Sequence, residues 1–227
     1  MMSFTLAEHG FEIHRGILSE TRIAQLREEA NAVAASAASV CVRHLRSRSP
    51  MFHDLSLSDL VYQLIPRDLR PVRSILFDKT ADENWPVAWH QDLTIAVSEQ
   101  RPIAGYGPWS TKDGIPHVQP PISLLQNMVT LRFHLDDTPA SNGALHVIPG
   151  SHRHGRISAE DIGRQTSVAE VVCECHAGDV LLMSPLLLHS SRRSLAPNRR
   201  RILHFEYARD TDLDPLLRWE ESLGECS

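Results

Sequence analysis

The sequence predicts a mainly β protein, a double-stranded β-helix or jelly roll, with flanking N-terminal helices. Three observations lead there. An apolar period of 3.6 residues runs through the early part of the chain, six short segments rich in β-branched and aromatic residues follow, and Gly, Pro, Asn or Asp bounds those segments. Such strands in succession indicate a sandwich or double-sheet jelly roll. At 227 residues the chain is long enough for one sizeable core. One domain is therefore expected over residues 1–227, helical to about residue 70 and a jelly roll from about 71 to 208.

The elements follow in order. Ser19 is a helix N-cap with Glu20 in the first turn; Ile23, Leu26, Ala30, Val33 and Ala37 form one face, and Arg22, Arg27, Glu28 and Glu29 the other. A second helix, Ser58 to Ile65, is stopped by Pro66. The segment RHLRSRSPMFHD between them reads as a polar loop. Strands are expected at Val72–Phe77, Met128–Leu135, Ala144–Ile148, Val168–Cys175, Val180–Met183 and Arg201–Tyr207. Between the first two lies SEQRPIAGYGPWSTKDGIPHVQPP, with five prolines and three glycines. A loop of that length is usually functional or disordered, and Tyr106, Trp109 and His117 favour an active-site lid.

Composition narrows the function. A formal charge of −5 speaks against a general nucleic-acid binder, so the run Arg199-Arg200-Arg201 needs a local explanation. No apolar stretch approaches the roughly 18 residues of a membrane span, and the N-terminus lacks a basic segment followed by an apolar one. A cytoplasmic protein with no membrane partner is expected. Cys41, Cys173, Cys175 and Cys226 are too scattered for a disulfide framework and read as reduced thiols.

The stretch Trp89-His90-Gln91-Asp92 places an imidazole and a carboxylate two residues apart, on one face of a strand. A second His-x-Asp, His134-Leu135-Asp136, shows that the tripeptide alone decides nothing. A site of two histidines and one carboxylate on iron(II) needs one more imidazole. His189, ending the apolar run Leu186-Leu187-Leu188, is the best third ligand. Ser191 follows it by two residues and Arg200 by eleven, at the start of a strand. A guanidinium there is a bidentate partner for a carboxylate. Arg192, Arg193 and Arg199 read as solvated residues at a strand end.

Taken together, WHQD, LDDTPASNGALHVIPGSHRHG and GDVLLMSPLLLHSSRRSLAPNRRRILHFEYA resemble the phytanoyl-CoA dioxygenase-like family of Fe(II)/2-oxoglutarate-dependent oxygenases, from about Pro71 to Ala208. The resemblance implies iron(II) held by the catalytic residues His90, Asp92 and His189. It implies 2-oxoglutarate as cosubstrate, its 5-carboxylate on Arg200 with help from Ser191, and molecular oxygen. Decarboxylation to succinate and CO₂ would accompany oxidation of a small-molecule substrate, hydroxylation being the default. Related halogenases carry a small residue where this chain has Asp92, which disfavours halogenation. His134, Asp136, His152 and His154 fall on segments that build the fold in the family.

Strand alternation puts Arg73, Ile75, Phe77 and Lys79 on one face, and Thr130, Arg132 and His134 on another. Arg73 and Thr130 are candidate 2-oxoglutarate contacts, and Lys79 and Arg132 candidate substrate contacts. Asp113-Gly114-Ile115-Pro116-His117 resembles a substrate-proximal loop of ectoine hydroxylases, making His117 and Trp109 further substrate candidates. The alternative for Trp109 is packing of the lid, and for His117 solvent exposure. Competing functions are a catalytically silent metal-binding jelly roll that senses or carries a ligand, and a metal-dependent isomerase or hydrolase. Neither has a use for Arg200 as a cosubstrate anchor.

Overall fold

The computed structural model describes residues 4–221 except 168, 196 and 197, so Val168 and Cys226 lie outside the described residues. The chain begins with α1 (Leu6–His9), β1 (Phe11–His14), α2 (Glu20–Ala37), β2 (Cys41–Arg43) and three short helices, α3 (Leu45–Arg48), α4 (Pro50–Ser56) and α5 (Asp59–Tyr62). Then come β3 (Arg70–Lys79), β4 (Val87–His90), β5 (Ile95–Ala96), β6 (Trp109–Lys112), β7 (Ile115–Val118), α6 (Ile122–Asn127), β8 (Val129–His134) and β9 (Leu145–Val147). The last elements are α7 (Ala159–Gln165), β10 (Val171–Cys173), β11 (Val180–Met183), β12 (His189–Ser191) and β13 (Arg200–Ala208).

Two antiparallel sheets make the jelly roll, a six-stranded one ordered β1-β11-β8-β13-β3-β2 and a four-stranded one ordered β10-β9-β12-β4. Phe11, Leu181 and Met183 of the larger sheet pack on Leu145, Val147 and Cys173 of the smaller. The central strands alternate strictly. Leu203, Phe205 and Tyr207 of β13, with Leu131 and Phe133 of β8 and Leu76 of β3, turn outward beneath Leu26, Phe52 and Leu55 of the helices. Each such side chain contributes about 1.5–3 kcal/mol on burial, which holds the helical layer on that face. The alternate residues turn inward, and there Arg200, His204 and Glu206 of β13 and Arg132 of β8 line a cavity.

Helix α2 forms as its sequence predicts, with the Ser19 hydroxyl accepting from the Arg22 N–H at 3.3 Å and Ile23, Leu26, Ala30 and Val33 buried. Residues 43–54 are not a polar loop. Ser49 caps α4 by accepting from the Phe52 N–H, Pro50 stands at its first turn, and Leu45 and Phe52 are fully buried. The helix expected over Ser58–Ile65 shortens to α5. Strand β1, unforeseen, pairs with β11 through Phe11 and Met183. The proline-rich stretch is likewise no plain lid. β6 and β7 form a hairpin turning at Asp113 (φ 51°) and Gly114 (φ 80°), and β5 adds to β7.

The end of the described chain is clamped onto β3. Glu221 accepts from the Ser74 N–H at 2.6 Å and from its hydroxyl at 2.7 Å, and Glu220 lies 3.0 Å from His44 Nδ1. No helix among the described residues is long and apolar enough to cross a membrane.

Candidate active site

Sheet register brings the first two candidate ligands together. In the β4–β12 ladder His90 and His189 are direct partners, with ring centroids 4.2 Å apart. Each Nδ1 lies 2.8 Å from the carbonyl oxygen two residues upstream, Ala88 for His90 and Leu187 for His189. With Nδ1–H donating there, both Nε2 lone pairs are free to face a common point. Asp92, just beyond β4, puts Oδ1 3.7 Å from His90 Nε2 and Oδ2 3.7 Å from His189 Nε2. One ligand atom from each residue lies within 4.8 Å of the others. Three donors held about 2.1 Å from one ion stand roughly 3–3.5 Å apart, so this set fits a metal after a small contraction.

Gln91, between the two ligands, turns the other way. Its amide donates to Leu186 O at 2.6 Å and Gly155 O at 2.8 Å, and its carbonyl accepts from the Ile157 N–H at 2.8 Å. The Asp92 N–H donates to Pro185 O. These bonds anchor the end of β4, so residues 90 and 92 point inward together. Burial pushes the Asp92 carboxyl up, but His189, His204, His90 and Arg73 outweigh it and hold it at about 2. Burial lowers His189 to about 4, with the neighbouring His90 acting in the same direction and Asp92 opposing it. At neutral pH the trio is one carboxylate and neutral imidazole at His189, the forms that bind metal.

Behind the trio is a cavity of about 200 Å³. Arg200 stands in its wall, directly across the β13–β3 ladder from Lys79. Its guanidinium donates to Gly143 O and makes only long contacts, 3.4 and 3.5 Å, with the Ser191 hydroxyl. Its Nε is buried with no partner. Burial, then Arg132, draws Arg200 down to about 10; burial, then Arg200 and Arg132, draws Lys79 to about 7. No carboxylate among the described residues pairs with Arg200, and a buried cation in that state is costly until an anion joins it. Gly143 makes the arrangement feasible. At φ +67° a Cβ there would lie 2.7 Å from Arg192 O and 3.5 Å from Arg200 Nη1.

A polar chain crosses the cavity wall from Arg132 to Arg73. Arg132 Nη1 is 3.1 Å from His204 Nδ1, His204 Nε2 is 3.2 Å from Glu206, and Arg73 Nη1 donates to Glu206 at 3.0 Å. Arg132 donating to Nδ1 leaves the proton on Nε2, facing Glu206.

Of the residues singled out in the sequence, His90, Asp92, His189, Arg200 and Ser191 all line this cavity, and so do Arg73, Lys79 and Arg132. Three do not. Thr130 shares the inward face of its ladder partner Glu206 but is fully buried and does not reach the cavity surface. Trp109 packs with Tyr106 against the cluster of Ile95, Val118 and Leu213, so it holds the hairpin down. His117 is neither a wall residue nor exposed; it is 1% accessible, with Nδ1 3.0 Å from Ile115 O. The second His-x-Asp serves the fold: His134 is paired with the Thr138 hydroxyl, and Asp136 receives Arg201 at 2.7 and 2.8 Å. Arg199 is not simply solvated, since it grips the buried Asp78 through Nε and Nη2. Arg43, Trp85, His204 and Glu206 line the cavity without having been foreseen. For His204 and Glu206 a signal existed, the two-residue alternation from Arg200 along β13.

A jelly roll whose smaller sheet presents two imidazoles and a carboxylate, with an anion-seeking arginine behind them, has the form of a non-haem iron, 2-oxoglutarate-dependent enzyme. A family model described as phytanoyl-CoA dioxygenase matches residues 6–202, and the chain belongs to that family. The class is that of iron- and 2-oxoglutarate-dependent dioxygenases. Among solved structures, the non-heme alpha ketoglutarate dependent epimerase SnoN from nogalamycin biosynthesis is similar at 18% identity, over 90% of this chain and 79% of that one, with a TM-score of 0.68. HygX from Streptomyces hygroscopicus, with nickel and 2-oxoglutarate bound, is similar at 19% identity over 90% and 85%, TM-score 0.64. EctD from S. alaskensis in its apoform is similar at 18% identity over 91% and 75%, TM-score 0.70. At these identities the likeness is one of fold. No curated protein matches the sequence.

Proposed function

We propose that this dioxygenase hydroxylates a small-molecule metabolite, with His90, Asp92 and His189 as the iron(II) ligands and Arg200, assisted by Ser191, as the anchor for the 5-carboxylate of 2-oxoglutarate. The observation that carries the assignment is a single cavity with converging metal-binding atoms on one side and an arginine without a carboxylate partner on the other. Iron(II) and 2-oxoglutarate, when bound, supply oxygen activation coupled to decarboxylation to succinate and CO₂. The chain's own residues orient and exclude. Ala88 O and Leu187 O fix the imidazole tautomers, Gln91 fixes the direction of the His90–Asp92 pair, and Phe77, Ile75 and Leu145 keep the wall apolar near the reacting centre. Arg73 is held by Glu206, which favours a role in shaping the wall over a direct hold on cosubstrate. SnoN is an epimerase and SnoK a carbocyclase, so oxidation in relatives of this fold has more than one outcome. Hydroxylation is proposed here because Asp92 completes the carboxylate position. A cytoplasmic setting belongs to the same reading and is supported by free thiols at Cys41, Cys173 and Cys175.

Anaerobic titration of the apo-protein with iron(II) and 2-oxoglutarate, followed aerobically by succinate release, tests the assignment. A weak visible charge-transfer band and slow succinate release are expected, with both lost in Asp92→Ala. A protein that saturates with iron and shows no band would instead be a ligand-binding relative without oxygenase activity.

A further inference from the structure

We infer that the substrate oxidised in this cavity is a small acid whose anionic group docks at the mouth between Arg43, Arg73 and Lys112. The inference rests on the oxygenase reading and adds the charge class of the substrate. The geometry comes from the β6–β7 hairpin, which lies outside the cavity lining but whose turn meets the lining residue Arg43. At its turn Asp113 accepts from Arg43 Nε at 2.7 Å, and Lys112 Nζ reaches the Thr94 hydroxyl at 3.5 Å, two residues beyond Asp92. Arg43 pairs with Ile75 in the β2–β3 ladder and so lies one inward-facing position from Arg73, and both guanidinium side chains line the cavity. Arg73, Arg43 and Lys112 thereby surround the way out from the His90–Asp92–His189 site.

Charge decides what can rest there. Inside, Lys79, Arg132 and Arg200 face Asp92; at the mouth, Arg43, Arg73 and Lys112 face Glu206 and Asp113. Iron(II) and the 2-oxoglutarate dianion cancel one another, so loading the site leaves five cationic side chains, with Lys79 drawn to about 7 and only partly charged, against three carboxylates. Asp113 compensates weakly, since its side chain is 72% exposed and a pair in water is worth little. Glu206 is already shared between Arg73 and His204. Burial lowers the Lys112 pKa and the adjacent Arg73 and Arg43 lower it further, with Asp92 and Glu206 opposing them only in part. A cationic substrate would meet this field head-on, and a neutral one would leave it unrelieved. The cavity, at about 200 Å³, falls below the roughly 300–1,000 Å³ of pockets for drug-sized ligands. Cosubstrate and the reacting carbon therefore fill the interior, and the acid group stays at the mouth.

The test uses the full chain, loaded anaerobically with iron(II) and saturating 2-oxoglutarate and titrated calorimetrically with acetate, sulfate and, as the neutral match of acetate, acetamide. Arg43→Gln and Lys112→Gln are titrated alongside, with the charge-transfer band as the check that each holds iron and cosubstrate normally. Saturable binding of acetate or sulfate, absent for acetamide and weakened at least about fivefold in both variants with the band unchanged, is expected. The preferred anion separates a carboxylate substrate from a phosphoryl or sulfuryl one. Absence of saturable binding up to tens of millimolar, or equal binding to wild type and variants, overturns the inference. If the band never forms in the wild type, the oxygenase reading itself has failed.

Discussion

Replacing Arg200 by Gln should move ligand affinity and stability in different directions. The guanidinium is buried, its Nε has no partner, its one close hydrogen bond is to the neutral Gly143 O, its contacts to Ser191 are 3.4–3.5 Å long, and its charged neighbours are the cations Lys79 and Arg132. In the apo-protein this is repulsion with little compensation, so Arg200→Gln should leave the unfolding free energy within about 1 kcal/mol of wild type, against the roughly 3–5 kcal/mol lost on breaking a well-paired buried charge. Binding of 2-oxoglutarate should respond oppositely. Truncating one side of a buried, hydrogen-bonded charge pair costs about 2–5 kcal/mol. Lys79 and Arg132 remain to attract the carboxylate, which places the loss at the lower end, about 2–3 kcal/mol or a rise in Kd of roughly 30- to 150-fold. Urea unfolding of the apo-proteins and anaerobic titration of the charge-transfer band measure the two quantities. An unchanged Kd, or a loss of stability of several kcal/mol, would refute the claim that Arg200 is held ready for an external anion.

Gly143→Ala puts a Cβ 2.7 Å from Arg192 O at a backbone φ of +67°. It should destabilise the protein by about 1–2 kcal/mol and, by displacing Arg200, raise the Kd for 2-oxoglutarate in the same titration. His134 is held at about 3 in the fold by burial, then by Arg132 and Arg200, whereas in the unfolded chain it takes a proton near its ordinary 6.5. Its stabilising effect is therefore complete above about pH 6.5 and is lost as pH falls toward 3, by about 1.4 kcal/mol per unit at most. Urea midpoints of the apo-protein across that range should fall with pH and flatten in His134→Gln; a profile shared by both proteins would place the titration elsewhere. Iron(II) at a hundredfold excess over its Kd should add about 2.7 kcal/mol and raise Tm by roughly 5–10 °C in a chain of this size, and His189→Ala should abolish the rise.

What could be read without coordinates was the chemistry tied to fixed chain spacing. The two-residue spacing of His90 and Asp92 follows from the end of a strand and the β4–β12 register brings His189 to them, whereas Arg200 comes to the same cavity from the other sheet. The strands of the larger sheet were legible for the same reason, their apolar side facing helices and their polar side a cavity. Arg43 was not legible: nothing near it in sequence says that β2 lies beside β3. Helices α3 and α4 hid behind charged residues, because their only buried apolar side chains are Leu45, Phe52 and Leu55, and only α4 has a side-chain cap, Ser49. In the hairpin, Asp113-Gly114 is a turn signal outweighed by surrounding prolines. Trp109 and His117 illustrate a further limit, since residue type marks them as suited to binding but only packing says which way they turn.

Strand β1 has a bearing on how the protein keeps to itself. It covers the outer side of β11, whose sequence Val180-Leu181-Leu182-Met183 is wholly apolar and wholly buried. Its own exposed flank is built with Glu12 and His14, a charge-bearing border that offers a poor template to another sheet. Trimming the chain to Arg15 would bare a greasy, hydrogen-bond-hungry edge of the kind that recruits neighbouring molecules. The first strand is in that sense an antiaggregation guard, and the N-terminal boundary chosen for any recombinant version will govern its colloidal behaviour.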